Sequence, residues 1–283
     1  MAQEPQQRQS YPSELTDEQW ARVEPLLPAP RSNRGGRPRA IARREVLNPL
    51  LSLHRRGGQW DLLPQDLLPT SRGSDYCAQW RDEGTGSKLL AAVREQGRRE
   101  AGREPTPSAA CLASHSVQTP AVGGKERGDD GGKKITGRQR HVLVAPLGLL
   151  RAVVSTSAQV EEGAAAPAVL AQVSLPDFPR WETLCGAAQS HTPALAAWVA
   201  EPRPGGQIAV KLRPPARTGC TPVRKRGVVE RTKAGTGRSR RNSTDSERKP
   251  ESAAALSHIS HLHLLLRKLP PSAQREFRYD AAA

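Results

Sequence analysis

The longest apolar run in the chain, Val142 to Leu150, is nine residues long, contains Pro146 and Gly148, and stops at Arg151. A helix that crosses a bilayer needs about 20 apolar residues, so this run cannot span one. Its halves, in HVLVAPLGLLRAVVSTS, are short and rich in Val and Leu, which predicts two strands joined at Pro146 to Gly148. A chain committed to such a pair must build a sheet, and the segments around it have to supply further strands and covering helices.

Helical periodicity dominates before this point. Thr16 with Gln19 three residues on predicts a capping box, and Leu15, Trp20, Val23, Leu26 and Leu27 share the apolar face of a short helix ending near Pro28. A second amphipathic helix is predicted over REVLNPLLSLHRRGG, closed by Gly57 and Gly58. Pro49 inside it implies a kink or a cost of about 3 kcal/mol. GQWDLLPQDLLP reads as turn-rich, and SDYCAQWRDEGTGSKLLAAVREQGRREAG as helix broken at Gly84 to Gly86. After EPTPS the texture changes. ACLASHSVQT, WETLCGA and QIAVKLRP read as strands, whereas EEGAAAPAVLAQV, HTPALAAWVAE and ESAAALSHISHLHLLLRKL read as helices. In the last of these, His258, His261 and His263 border a packing face of Leu256, Ile259, Leu262, Leu266 and Leu269. The order predicts an α/β chain, a mixed sheet flanked by helices behind a small helical domain. The boundaries read as a disordered N-terminus over 1–12, a helical domain over 13–100, a linker over 101–109, an α/β domain over 110–272 and a tail over 273–283.

Lys and Arg number 43 against 28 Asp and Glu, a net charge of +15 that favours polyanionic partners and disfavours acidic ones. Residues 203–250 carry 14 of these cations and three acids, Glu230, Asp245 and Glu247. A solvated or partly disordered loop and a nucleic-acid surface both fit that stretch. In GGKKITGRQRH, the cations Lys133, Lys134, Arg138 and Arg140 read either as phosphate contacts or as a solvated loop. Cysteines at 77, 111, 185 and 220 are too far apart for a CxxC metal knuckle or a dense disulfide framework, and the polar start MAQEPQQRQS has no signal core. The expectation is a soluble protein of a reducing compartment.

Several blocks in order resemble a family of bacterial insertion-sequence transposases with a helical N-terminal domain and a DDE-type, ribonuclease-H-like catalytic domain. They are YPSELTDEQWARVEPLLP, GGRPRAIARREVLNPLLSL, GGQWDLLPQDLLP, QWRDEG, GGKERGDDGGKKITGRQRHVLVAPLGLL, PALAAWVAE, RGVVERT and PESAAALSHISHLHLLLRKL, covering about residues 11–270. The resemblance implies a ribonuclease-H-like fold, double-stranded DNA of element ends and target as partner, a homodimer as the assembly, a bacterial cytoplasmic, nucleoid-associated location and no membrane. It also implies Mg²⁺ or Mn²⁺ held by three carboxylates, since two divalent ions must activate the attacking oxygen and stabilise the leaving one.

LASHSVQT resembles the segment of the first Asp and puts Ala113 there. CGAAQSHT, counted back from Pro193, puts Ala187 at the second. The third, a Glu in an RxxxE pattern, is retained as Glu230 after Arg226. A further Asp of the family corresponds to Ala145, and its aromatic and apolar positions after the Glu correspond to Lys233, Gly235, Thr236 and Ser239. The resemblance therefore implies a transposase-like DNA-binding protein whose strand-cleavage activity is lost, with Glu230 as the remaining metal ligand. The alternative is a catalytically dead protein that occupies element ends or inhibits an active transposase. Arg37, Arg39, Arg43 and Arg44 are the expected DNA contacts of a helix-turn-helix-like N-terminal domain, which a docking or dimerisation domain would equally resemble. Arg226 and Arg231 are the expected contacts beside Glu230.

Overall fold

The computed structural model describes residues 11–28, 41–64, 66–121, 124–173, 178–186, 192–201, 209–212 and 227–269. The expected N-terminus over 1–10, Arg37, Arg39, Ala187, Arg226 and the tail lie outside them.

The predicted strand pair is the spine of a mixed sheet. Strand β3 (Ile135–Ala145) turns at Pro146 to Gly148 into β4 (Leu149–Ser157), with the Gly148 amide donating to the Ala145 carbonyl. Leu147 and Gly148 both adopt the left-handed region, at φ 75° and 77°, a conformation that strains leucine and suits glycine. On its other side β3 pairs antiparallel with β1 (Ala109–Gln118), Ala113 facing Val142 across the ladder. The short strand β2 (Gly128–Asp130) pairs with the start of β3 on the β4 side. Gly137 sits where β1, β2 and β3 meet, and a Cβ there would lie 2.1 Å from the Val117 carbonyl oxygen, so only glycine fits. Strands β5 (Thr183–Gly186) and β6 (Ala209–Leu212) extend the sheet from β1, both parallel to it. The sheet thus runs β4, β3, β1, β5, β6, consistent with the ribonuclease-H-like arrangement that the resemblance implies.

Helices cover both faces. On one, α5 (Glu162–Leu170) and α6 (Pro193–Ala200) pack with Ala110, Leu112, Leu143 and Leu184. On the other lie α7 (Gly227–Gly237) and α8 (Pro250–Leu266). The N-terminal helices α1 (Asp17–Val23), α2 (Arg43–Arg56), α3 (Thr70–Asp82) and α4 (Thr85–Glu100) gather around α8. Thr16 and Gln19 form the expected capping box, Gly57 caps α2 at φ 74°, and α2 runs through Pro49. One apolar cluster joins Val23, Leu47, Leu51, Leu89 and Val93 to Leu262, Leu266, Val144 and Val153. A single core therefore crosses the expected boundary at residue 100, because α8 fills the groove between the helical region and the sheet.

Two expectations need correction. The segment GGKKITGRQRH is not a solvated loop, since Ile135 onward is β3 and Arg138 and Arg140 are 0% and 2% exposed. Nor is the described stretch after Glu230 a solvated or partly disordered loop. Asp245, itself 2% exposed, receives the Arg138 guanidinium at 3.2 Å and lies 3.8 Å from that of Arg140. Arg138 also donates to the carbonyls of Lys125, Glu247 and Arg248, and Arg140 to that of Asn242. Burying three charges is tolerable only where counter-charge and carbonyl oxygens meet them, so these cations are structural and closed to phosphate.

Candidate functional site

Of the three positions that the sequence singled out, Ala113 and Glu230 fall among the described residues, on β1 and α7. Ala113 is buried at the middle of β1 and shares an apolar cluster with Val229 of α7. Position 187 follows directly on the last residue of β5, the strand beside β1. Glu230 lies in the first turn of α7, with its carboxylate 62% exposed and its Oε1 3.9 Å from Lys233 Nζ. That ammonium donates to the Ser114 carbonyl at 2.8 Å, next to Ala113. Through Lys233, Glu230 of α7 is thus linked to the strand that carries Ala113.

The residues present do not fit a pair of divalent cations. A methyl group stands on β1 at position 113, and an ammonium stands beside the one carboxylate of α7. Among the described residues no three His, Cys, Asp or Glu side chains gather closely enough to hold a metal. Asp130 of β2 is already held by Ser116 of β1 at 2.5 Å and Lys133 at 2.9 Å, and these bonds keep its carboxyl down at about 2. His115, two residues beyond Ala113, is driven down to about 3, first by burial and then by Arg140 and Lys233, so its imidazole is neutral.

Helix α7 carries the substitutions expected to weaken it. Its buried residues are Val229, Thr232 and Thr236, and both threonine hydroxyls are spent on backbone carbonyls. Beside Gly235 an apolar cavity of about 200 Å³ is lined by Gly97, Leu149, Leu264, Leu265 and Leu269, with Arg231 and Lys268 among its lining residues.

The other sequence candidates are distributed over the molecule. Arg43 donates to the Leu27 carbonyl and lies 3.6 Å from Glu24. Arg44 donates to the Leu15 carbonyl and to Asp17 at 2.6 Å, so both arginines tie α2 to the α1 segment. Lys133 and Lys134 are exposed at the turn between β2 and β3, and Arg231 is exposed on α7. Sequence reasoning missed an interaction of cations from distant elements. Arg55 at the end of α2 has its guanidinium pushed below the usual range, first by burial and then by Arg267 and Arg238. Arg267, at the end of α8, and Arg238, in the segment after α7, are the charges that act on it. The only signal in the sequence was the run of arginines after Glu230, because the partners are more than 180 residues away from Arg55 in Arg238 and Arg267. Guanidiniums suit phosphate, which each can bind with two parallel N–H groups.

Residues 15–90 match the family model described as "Putative transposase of IS4/5 family (DUF4096)". The matched stretch covers α1 through the first turns of α4. No curated protein and no solved structure matches the chain. Among the described residues no helix is long and apolar enough to cross a membrane.

Proposed function

We propose that this chain binds double-stranded DNA, as a transposase-like protein of a bacterial insertion sequence, and does not cut it. One observation carries the reading: where a strand-cleaving enzyme of this type would gather carboxylates, the chain has a buried methyl group at Ala113 and the Lys233 ammonium bonded to the Ser114 carbonyl, with Glu230 alone on α7. Two-metal chemistry needs several hard anionic ligands, and a fixed ammonium competes with the cations for the same carboxylate. Ala187, at the second carboxylate position, adds no ligand. Mg²⁺ or Mn²⁺ is not held productively.

DNA is gripped through phosphates by Arg55, Arg238 and Arg267, by Arg231 on α7 and by Lys133 and Lys134 at the β2–β3 turn. Such contacts position a duplex, whereas base reading falls to Arg37 and Arg39, ahead of α2 in the sequence. Arg43 and Arg44 hold that helix in place, and Arg226 precedes Glu230 as a further phosphate contact. The protein works in the bacterial cytoplasm on nucleoid DNA, where it occupies element ends as a homodimer and blocks an active transposase from them.

The test is a titration of the purified chain against DNA from the ends of its own element and against scrambled DNA of equal length, at several salt concentrations. Binding to both is expected to weaken by a slope of about 0.9 per phosphate contact, with a preference for the element ends that persists as salt rises. Equal affinity for both sequences at every salt concentration would refute end recognition, and no binding at low salt would refute DNA binding.

A further inference from the structure

Cys111 and Cys185 are 74 residues apart in the chain, yet they are directly opposite each other on the parallel strands β1 and β5. Adjacent strands lie about 4.8 Å apart, and directly paired side chains leave the same face of the sheet. A disulfide spans Cα separations of about 4.4–6.8 Å, so this register is inside the window that a cross-strand bond requires. Both residues are thiols, and both pack in the same apolar cluster, where Cys111 is buried and Cys185 half-buried. Cys111 stands two residues before Ala113 on β1, and residues two apart on a strand share a face.

The third described cysteine behaves differently. Cys77 lies on α3, and its thiol is pushed up to about 11, first by burial and then by Glu247, which keeps it protonated and unreactive.

We propose that Cys111 and Cys185 form an oxidisable dithiol, a modification site whose co-substrate is a peroxide. Cys185, the more accessible thiol, attacks one oxygen of hydrogen peroxide. The O–O bond breaks, the sulfur is oxidised to a sulfenic acid, and the thiol proton leaves with the second oxygen as water. The Cys111 sulfur then attacks Cys185 Sγ and displaces hydroxide, which takes the Cys111 proton and leaves as a second water. The balance is two thiols and one peroxide to one disulfide and two waters. The bond ties β1 to β5 one pleat away from Ala113, so that oxidant fixes the two strands to each other. A dithiol reductant reverses it.

The experiment uses the full chain. Native protein is treated with one equivalent of hydrogen peroxide, its remaining thiols are alkylated in denaturant, and tryptic peptides are weighed. The expected product is peptide 104–125 linked to peptide 181–211, lost on reduction and absent from Cys111→Ala and from Cys185→Ala. It forms at least tenfold faster from native chain than from chain denatured in guanidinium, a comparison that holds even where a variant unfolds. Alkylation of both cysteines after oxidation, a sulfinic acid on Cys185 without the link, a link to Cys77 or Cys220 in its place, or equal rates from native and denatured chain would each overturn the proposal.

Discussion

Replacing Asp245 by Ala should remove about 3 kcal/mol from the stability of the fold. The carboxylate accepts from Arg138 at 3.2 Å and from the Glu247 amide at 3.1 Å, and lies 3.8 Å from Arg140 Nη2, all in a region closed to water. Removing one member of a buried ion network costs about 3–5 kcal/mol, because the remaining charges stay buried without compensation. The lower end of that range applies here, since carbonyl oxygens of Lys125, Glu247, Arg248 and Asn242 continue to solvate the two guanidiniums. For a chain of this size the cost corresponds to a fall in melting temperature of about 6–12 °C. Urea denaturation followed by circular dichroism gives the free energy, and calorimetry gives the temperature. The double variant Arg138→Met with Asp245→Leu should recover part of the loss, as apolar groups often replace buried ion pairs at little cost. Arg138→Met alone should destabilise the fold yet leave the salt slope of DNA binding unchanged. A loss below about 1 kcal/mol for Asp245→Ala, or a shallower salt slope for Arg138→Met, would refute the assignment of these residues to the core.

Three more outcomes follow from the same structure. His54, His115 and His261 are held at about 3, and His141, His258 and His263 at about 4, chiefly by burial. Their folded values lie below the ordinary 6.5, so the unfolded chain takes up protons that the fold excludes, and stability present above about pH 6.5 is lost as pH falls towards 4. An acid titration followed by circular dichroism should show cooperative unfolding near pH 5 with uptake of more than about two protons, and a fold unchanged down to pH 4 would contradict this. Gly137→Ala should cost at least about 2 kcal/mol in a urea melt, since its methyl group meets the Val117 carbonyl and no side chain can give way; a neutral result would mean that β1 and β3 do not cross there. Arg238→Gln with Arg267→Gln should make the salt slope of DNA binding shallower by about 2, and an unchanged slope would place the DNA elsewhere.

The strands and helices were legible wherever a segment carried its own period or cap. The capping box at Thr16, the Gly57 cap and the turn after Ala145 are local devices, and the structure reproduces each of them. Misreadings fell where a long-range partner decided the outcome. Arg138 and Arg140 look like surface residues until Asp245, more than 100 positions later, supplies their counter-charge. The run after Glu230 has the composition of a loop, and is ordered because Asn242 donates to Ser260 of α8 at 2.6 Å and His54 of α2 bonds the same hydroxyl. The locality of Ala113 and Glu230 was legible only through resemblance, as nothing in the period of either segment says that β1 and α7 meet. The action of Arg238 and Arg267 on Arg55 and the Cys111–Cys185 pair were invisible for the same reason, since both are made by topology.

Binding without cleavage is measured most directly by incubating the purified chain with labelled element-end duplex in Mg²⁺ and in Mn²⁺, and resolving bound and nicked DNA from the same samples. The account predicts a shifted complex and intact strands in either metal. Metal-dependent nicking that disappears in Glu230→Ala would contradict it, and would mean that a carboxylate outside the Ala113 and Ala187 positions completes a working metal site.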